Sequence, residues 1–271
     1  MTTGASGAVI IVPARYESSR YPAKPLAPLC GRSGRSKPLI QRSWEAAKRV
    51  PGIAAVYIAT DHADIAAAAR SFGADVLMTS SACRNGTERC AEALDRLGAV
   101  PDLVINLQGD APLTPPHFVS ALIAAMPLAE APIVATPAVA VSAAHFARLE
   151  ADQAAGRVGG TSVVADANGR ALYFSKRLIP YFPTDLAGQG RVPLRLHIGV
   201  YAYTPAALRD YCNAPPSSLE RIEGLEQLRF LELGIPVRIV DVAPPAWEMW
   251  ELNNPADVEP IEAALAMMGE E

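Results

Sequence analysis

The sequence predicts an α/β fold, a mainly parallel sheet with helices packed against it. Short runs rich in Val and Ile alternate with longer segments whose apolar residues recur at helical spacing. The 271 residues, half of them hydrophobic, can bury a substantial core as one large domain or two closely packed lobes.

Each element follows in order. AVIIVPA (8–14) is a strand, KPLIQRSWEAAKRV (37–50) a helix, and AAVYIAT (54–60) a second strand ending at Asp61. A helix over 62–72, a short strand at ADVLMT, a helix from Thr87 to about Leu97 and the strand DLVINLQ continue the alternation. Residues 130–200 change character: PIVATPAVAV, TSVVADANGRALYFS and RLHIGVYAYT read as strands separated by Gly and Pro, with Asn168-Gly169 as a hairpin turn. SSLERIEGLEQLRFLELG reads as one helix with a Ser cap and a stop at Gly234, PVRIVDV as the last strand, and NPADVEPIEAALAMMGEE as a terminal helix.

Composition narrows the partners. Net charge is -4 with both signs interspersed, which fits a small ligand better than nucleic acid or an anionic membrane. No apolar run reaches the ~20 residues of a membrane helix, and MTTGASGAV lacks the features of a signal peptide, so a cytoplasmic location is expected. Cys30, Cys83, Cys90 and Cys212 show no CxxC spacing and read as reduced thiols.

Ligands of such sheets sit at the carboxyl ends of the strands. There PARYESSRYPAKPL sets Arg15, Arg20 and Lys24 on a proline-stiffened loop, an arrangement suited to a polyphosphate, although solvated surface charge is the plainer alternative. Neither GxxxxGKS nor GxGxxG is present, which excludes a P-loop and disfavours a dinucleotide fold. No GxSxG occurs to support a serine hydrolase. Asp110 in LQGDAP, taken alone, is as readily a turn former as a ligand. Asn85 or Thr87 in NGTER can cap the helix that follows.

Together, PARYxSxRxPxKPL, ATD, NGTERxAE, LQGDxPL, ALYFS, HIGVYAY and LExIExLEQLR resemble the CMP-Kdo synthetases, the 3-deoxy-manno-octulosonate cytidylyltransferases, in order over residues 8–258. The resemblance implies a nucleotidyltransferase fold, Rossmann-like and GT-A-like, with a mixed sheet and a smaller dimerising subregion. It implies one cytidylyltransferase domain over 1–271, with a CTP-binding half (1–130) and a half for acceptor binding and dimerisation (131–271), and a homodimer in contact through residues 130–200. Its reaction is attack of an acceptor on the α-phosphorus of CTP with Mg²⁺ as cofactor.

Residue by residue, the resemblance gives Arg15, Lys24 and Asp110 catalytic roles. Pro13, Ala14, Arg15, Lys24, Asn85, Gly86, Thr87, Arg89 and Gln108 match the CTP site. Gln108, Lys176, His197, Tyr201, Glu226 and Gln227 match the acceptor site. Asp110 and Asn253 match the metal-binding positions. Read without the family, His197 and Tyr201 are ordinary strand residues that share one face, and Glu223 and Glu226 a solvated helix face.

The chain departs from the family at several places. QGDEP reads QGDAP, placing Ala111 where Glu is usual, and GVDTPEDL reads ELNNPADV, placing Asn253 where the second metal-binding Asp is usual. Lys176 stands where Arg is usual and Ser162 where Lys is usual. The loop before Asn253 is longer and carries Trp247 and Trp250. Two carboxylates fewer would suit an acceptor that arrives as an oxyanion, because each carboxylate near 4 Å costs a unit charge roughly 1–4 kcal/mol. The expected acceptor is therefore a small phosphonate such as phosphonoformate, with Kdo or a related sugar acid as the alternative and a non-catalytic CTP-binding module as a third reading.

Overall fold

Strand β1 (Ala8–Ala14) is buried along its whole length, as a strand covered on both faces must be. In the computed structural model, which describes residues 7–17, 20–127, 131–181, 183 and 192–271, it lies near the middle of a ten-stranded mixed sheet. On one side β1 pairs in parallel with β4 (Ala55–Thr60), which pairs in parallel with β5 (Asp75–Met78). On the other it pairs in parallel with β6 (Leu103–Leu107). The connecting helices are α1 (Leu39–Lys48), α2 (Ala63–Ser71) and α3 (Gly86–Leu94). Beyond the expected elements, β2 (Pro28–Cys30) and β3 (Ser36–Pro38) form a small hairpin that takes the first residues assigned to helix 37–50.

Beyond β6 the sheet turns antiparallel around β7 (Val134–Ala140), which follows α4 (Pro116–Ala125) and precedes α5 (Ala143–Ala154). Next come β8 (Ser162–Ala165) and β9 (Ala171–Ser175), the hairpin read from Asn168-Gly169, whose Gly169 has φ +76°. RLHIGVYAYT is not one continuous strand. It splits into β10 (Arg195–His197) and β11 (Val200–Tyr203), with the register on β7 passing from His197↔Ala138 to Ala202↔Ala135 across Ile198-Gly199. β11 also pairs with β6, whereas β10 pairs with β8.

SSLERIEGLEQLRFLELG is likewise not one helix. After α6 (Pro205–Asn213), α7 (Ser218–Glu223) starts in a Ser217–Glu220 capping box and stops at Gly224, whose φ of +62° ends it; α8 (Leu228–Glu232) follows. Glu226 and Gln227 consequently lie in the turn between two short helices. β12 (Val237–Asp241) returns parallel to β7, and α9 (Val258–Met267) completes the described chain.

Two buried clusters pack against the sheet, one around Ile11, Val104, Phe174 and Tyr203, the other around Ile10, Ile58, Ile105 and Val119. A third joins the β2–β3 hairpin to α9 through Leu29, Leu39, Leu252 and Ile261, with Trp247 packed against it. All four cysteines are free, and among the described residues no helix is long and apolar enough to cross a membrane.

Candidate active site

The carboxyl ends of β1, β4 and β6 carry Arg15, Asp61 and the Gln108–Asp110 segment. β6 and β1 approach so closely there that a Cβ on Gly109 would stand 2.5 Å from Pro13 O, which explains the glycine in QGD. Pro13 and Ala14 themselves remain within β1, both buried. Arg15 is exposed just beyond it and free to meet a ligand. Lys24 follows Ala23, a left-handed residue with φ +53°, and its Nζ donates to Asp110 Oδ2 at 2.6 Å. A cation of the expected phosphate clamp is thus in contact with the expected metal-binding acid.

The NGTER segment serves mainly to join elements. Asn85 Oδ1 caps α3 by accepting from Glu88 N, and its Nδ2 donates to Tyr211 Oη at 2.9 Å. Thr87 Oγ1 bonds Tyr203 Oη at 2.8 Å. Arg89, matched to the CTP site, is buried instead: it donates to Asp61 Oδ2 at 2.9 Å and Thr79 Oγ1 at 2.6 Å. Asp61 Oδ1 in turn accepts from Tyr16 N at 3.3 Å, so one carboxylate holds both the loop after β1 and the helix α3. Gly86 is a point of close approach. A Cβ there would stand 2.9 Å from Gln108 Nε2 and 3.1 Å from Asn106 Nδ2.

Across the cleft, the bend at Ile198-Gly199 brings His197 and Tyr201 together from separate strands, ring centroids 5.4 Å apart. Phe174 meets His197 edge-on at 5.2 Å. Tyr201 Oη donates to Gln227 Oε1 at 3.2 Å. Burial pushes the His197 imidazole down to about 3, so the ring is neutral near pH 7. His197 Nε2 and Gln227 Nε2 are both buried without a hydrogen-bond partner. Glu226, read as a solvated face, is instead enclosed; its Oε2 accepts from Thr87 N at 3.1 Å. Burial raises its carboxyl despite that bond. Lys176 is exposed on the outer side of this turn, its Nζ beside Gly224 and its backbone N on Glu223.

Asn253 Oδ1 accepts from Arg20 Nη2 at 3.0 Å, and Asn253 N donates to Asp257 Oδ2 at 2.8 Å. Glu251, two residues earlier, lies within electrostatic range of Asp110, and its side chain hydrogen-bonds Asn253. Leu252 N donates to Asp110 O at 2.9 Å and holds that loop in place. Glu251 is exposed as a residue, yet protein crowds its carboxylate. That crowding, and then Asp110, push it up to about 7, against the pull of Lys24, the hydrogen bond with Asn253 and Arg20. Ala111, at the other departure, is buried. The cleft is therefore not stripped of acids. Among the described residues, no three or more metal-binding side chains gather.

Of the two loop tryptophans, Trp247 is structural, donating to Leu113 O at 3.2 Å, whereas Trp250 stays partly exposed.

The family described as Cytidylyltransferase matches residues 9–239. A 3-deoxy-manno-octulosonate cytidylyltransferase of Maricaulis maris is 39% identical over 260 residues, covering 96% of this chain and 97% of the relative. The chain belongs to the CMP-Kdo synthetase family.

Within that family, the enzyme of the same description from Aliivibrio fischeri (strain MJ11) is 41% identical over 264 residues, covering 95% of this chain and 98% of its own. The mitochondrial one from Arabidopsis thaliana is 38% identical over 260 residues, covering 96% and 83%. A solved CMP:2-keto-3-deoxy-manno-octonic acid synthetase complexed with CTP superposes with a TM-score of 0.82 at 37% identity, covering 97% of this chain and 100% of that one. A 4-diphosphocytidyl-2C-methyl-D-erythritol synthase structure from Anaerococcus prevotii, at 13% identity and TM-score 0.58, shares the fold. This chain is a cytidylyltransferase, a nucleotidyltransferase with the expected mixed sheet. These relatives lend no support to a phosphonate-specific member.

Proposed function

We propose that this cytidylyltransferase moves CMP from CTP to 3-deoxy-manno-octulosonate or a closely related sugar acid, with release of pyrophosphate. The observation that carries the acceptor is the pair of buried, unpartnered atoms His197 Nε2 and Gln227 Nε2. Buried polar groups are nearly always satisfied, so a ligand or ordered water belongs there. A neutral imidazole and an amide suit sugar hydroxyls. They offer little to a compact multiply charged anion, which Glu251 and Asp110 would also repel.

In this reading Arg15 and Lys24 neutralise the triphosphate, and Lys24, held on Asp110, favours the charge that grows on the leaving pyrophosphate. Gln108, against Gly86, lines the boundary between nucleotide and acceptor. An acceptor oxygen attacks the α-phosphorus, and the bond to the bridging oxygen of the β-phosphate breaks. Asp110 fits a Mg²⁺ site, because magnesium takes one or two carboxylates and fills its remaining positions with phosphate oxygens and water. Bound there, the ion would polarise the α-phosphoryl group. A homodimer built on residues 130–200 belongs to the same proposal. Residues 130, 182 and 184–191 of that stretch lie outside the described residues, and Leu172 on β9 is exposed within it.

The test is pyrophosphate release from CTP and Mg²⁺ with either acceptor. Turnover with Kdo, and about a hundredfold less with phosphonoformate, is expected from a site built to hydrogen-bond its substrate. Turnover of phosphonoformate without Kdo would overturn the reading.

A further inference from the structure

We propose that Asn106 is a further specificity residue of this cleft, its Oδ1 accepting a hydrogen bond from a hydroxyl of a bound sugar, the ribose of CTP or the sugar-acid acceptor. For an acceptor hydroxyl this rests on the sugar-acid reading above; for a ribose hydroxyl it needs only CTP.

Asn106 interrupts the apolar strand β6 and is 0% exposed. Alternation along the strand puts Val104 and Gln108 on its own face, and Tyr201 stands directly opposite on β11. Taking an amide out of water costs stability unless both of its ends are bonded. Asn106 Nδ2 donates to Tyr203 Oη at 3.3 Å, whereas Oδ1 is buried without a partner. A Cβ on Gly86 would stand 3.1 Å from Asn106 Nδ2 and 2.9 Å from Gln108 Nε2, so the two amides lie side by side over the start of α3. Gln108 is half-buried at the boundary between nucleotide and acceptor, and Asn106 is enclosed next to it. In the reading above, that boundary brings the sugars on either side of the reacting phosphate to this pair of amides.

The unpaired end of Asn106 is set by its neighbours. Glu226 Oε2 accepts from Thr87 N at 3.1 Å, and the same carboxylate hydrogen-bonds the Thr87 side chain. An ionised carboxylate only accepts, so the Thr87 hydroxyl gives its proton there and accepts from Tyr203 Oη at 2.8 Å. Tyr203 has a single proton as well. Having given it to Thr87, its oxygen accepts from Asn106 Nδ2. The chain therefore runs one way, from Asn106 through Tyr203 and Thr87 to Glu226, and leaves a carbonyl oxygen at its open end. A sugar hydroxyl can donate to that oxygen, and an ionised phosphate or phosphonate oxygen cannot. Tyr203, Thr87 and Glu226 are in this chain positioning residues for Asn106.

The test is a double-mutant cycle on ligand hydroxyls, a readout that a merely structural asparagine would not move. Pyrophosphate release by the full chain with Mg²⁺ is compared for CTP, 2′-deoxy-CTP and 3′-deoxy-CTP at saturating Kdo, and for Kdo and analogues lacking one non-reacting hydroxyl at saturating CTP. In the wild type one of these analogues is expected to lose about tenfold or more in kcat/KM, and in Asn106→Leu the same loss should shrink to within about twofold. A sensitive ribose analogue assigns the contact to CTP, and a sensitive Kdo analogue assigns it to the acceptor. Tyr203→Phe unties the amide from its chain and is expected to narrow the same discrimination about threefold. No sensitive analogue in the wild type, or undiminished discrimination in Asn106→Leu, would overturn the role of Asn106. A wild type that does not use Kdo overturns the sugar-acid reading instead, and affinities for CTP and its two deoxy analogues, measured by calorimetry in both proteins, then decide for or against Asn106. Should Asn106→Leu not fold, a crystal structure of the wild type with an α,β-methylene analogue of CTP and Kdo decides: a sugar hydroxyl on Asn106 Oδ1 supports the proposal, and water as its only partner overturns it.

Discussion

The two walls of the cleft satisfy their polar groups in opposite ways. On the nucleotide wall, Asn85, Thr87, Arg89 and Asp61 bond one another or the neighbouring strands, while Arg15 is exposed and Asn106 Oδ1 is buried without a partner. On the acceptor wall, His197 and Gln227 keep buried nitrogens with no partner. The first wall is nearly complete before any ligand arrives, Asn106 Oδ1 being the exception; in the proposed reading the second is completed by its ligand. Substitutions on the first should therefore act through folding and CTP affinity together, and substitutions on the second on acceptor use alone.

The largest effect is expected at the junction of the walls. Asp110→Asn leaves Lys24 without its carboxylate and removes the anionic oxygen proposed to bind the metal, and pyrophosphate release should fall by at least about 10²-fold, the scale of losing one preorganised electrostatic group. Retained kcat would place the metal elsewhere. Next is Arg229, which is 1% exposed and bonds Glu220 and Glu88 while stacking 3.8 Å over Tyr211. Arg229→Met would strand buried carboxylates, and urea unfolding should register a loss of about 3–5 kcal/mol. An unchanged midpoint would show that this network does not bind α3 to α6, α7 and α8.

A smaller and more selective change is expected from Gln227→Leu. It removes both a hydrogen bond to Tyr201 and an unpartnered nitrogen, so stability should move little while KM for Kdo rises about tenfold or more and KM for CTP stays put. Equal rises in both KM values would erase the distinction between the walls.

The pH dependence tests His197. Its imidazole titrates near 3 in the folded chain, below the ordinary value of 6.5, so the unfolded state binds the extra proton between those limits. Stability contributed by this site is present above about pH 6.5 and falls as pH drops towards 3. His197→Phe should flatten that part of the stability profile, and an NMR titration of the wild-type ring showing a midpoint near 6.5 would contradict the buried neutral assignment. The smallest effect is Asn85→Ala, about 1 kcal/mol for loss of the cap on α3.

How much of this was legible in the sequence follows from which interactions are local. The parallel half could be read strand by strand because β1, β4 and β6 are nearly continuous apolar runs with turn residues between them. The hairpin at Asn168-Gly169 carries its own signature. Two breaks escaped, at Ile198-Gly199 and at Gly224, because in each case the periodicity continues across a glycine whose neighbours are fixed by distant strands or helices. Motif matching singled out Asp110, His197, Tyr201 and Gln227, which the fold gathers at the strand ends and in the turn after α7. It could not tell that Arg89 faces Asp61, 28 residues away, since an arginine reads alike whether it binds phosphate or a buried aspartate. It also assigned the second acid by alignment to position 253 and so treated its loss as a loss of charge. Glu251, two residues earlier, lies within electrostatic range of Asp110, a proximity visible only once residues 110 and 251 are brought together in space.

The contrast between the walls is tested most directly by acceptor selectivity, the ratio of kcat/KM for Kdo to that for phosphonoformate, measured in the wild type and in Gln227→Leu at saturating CTP. The expected ratio is about 10² or more in the wild type and falls at least about tenfold in the variant, because a buried donor that recognises a hydroxyl has been removed. A wild-type ratio at or below unity, unmoved by Gln227→Leu, would contradict an acceptor wall that a sugar acid completes.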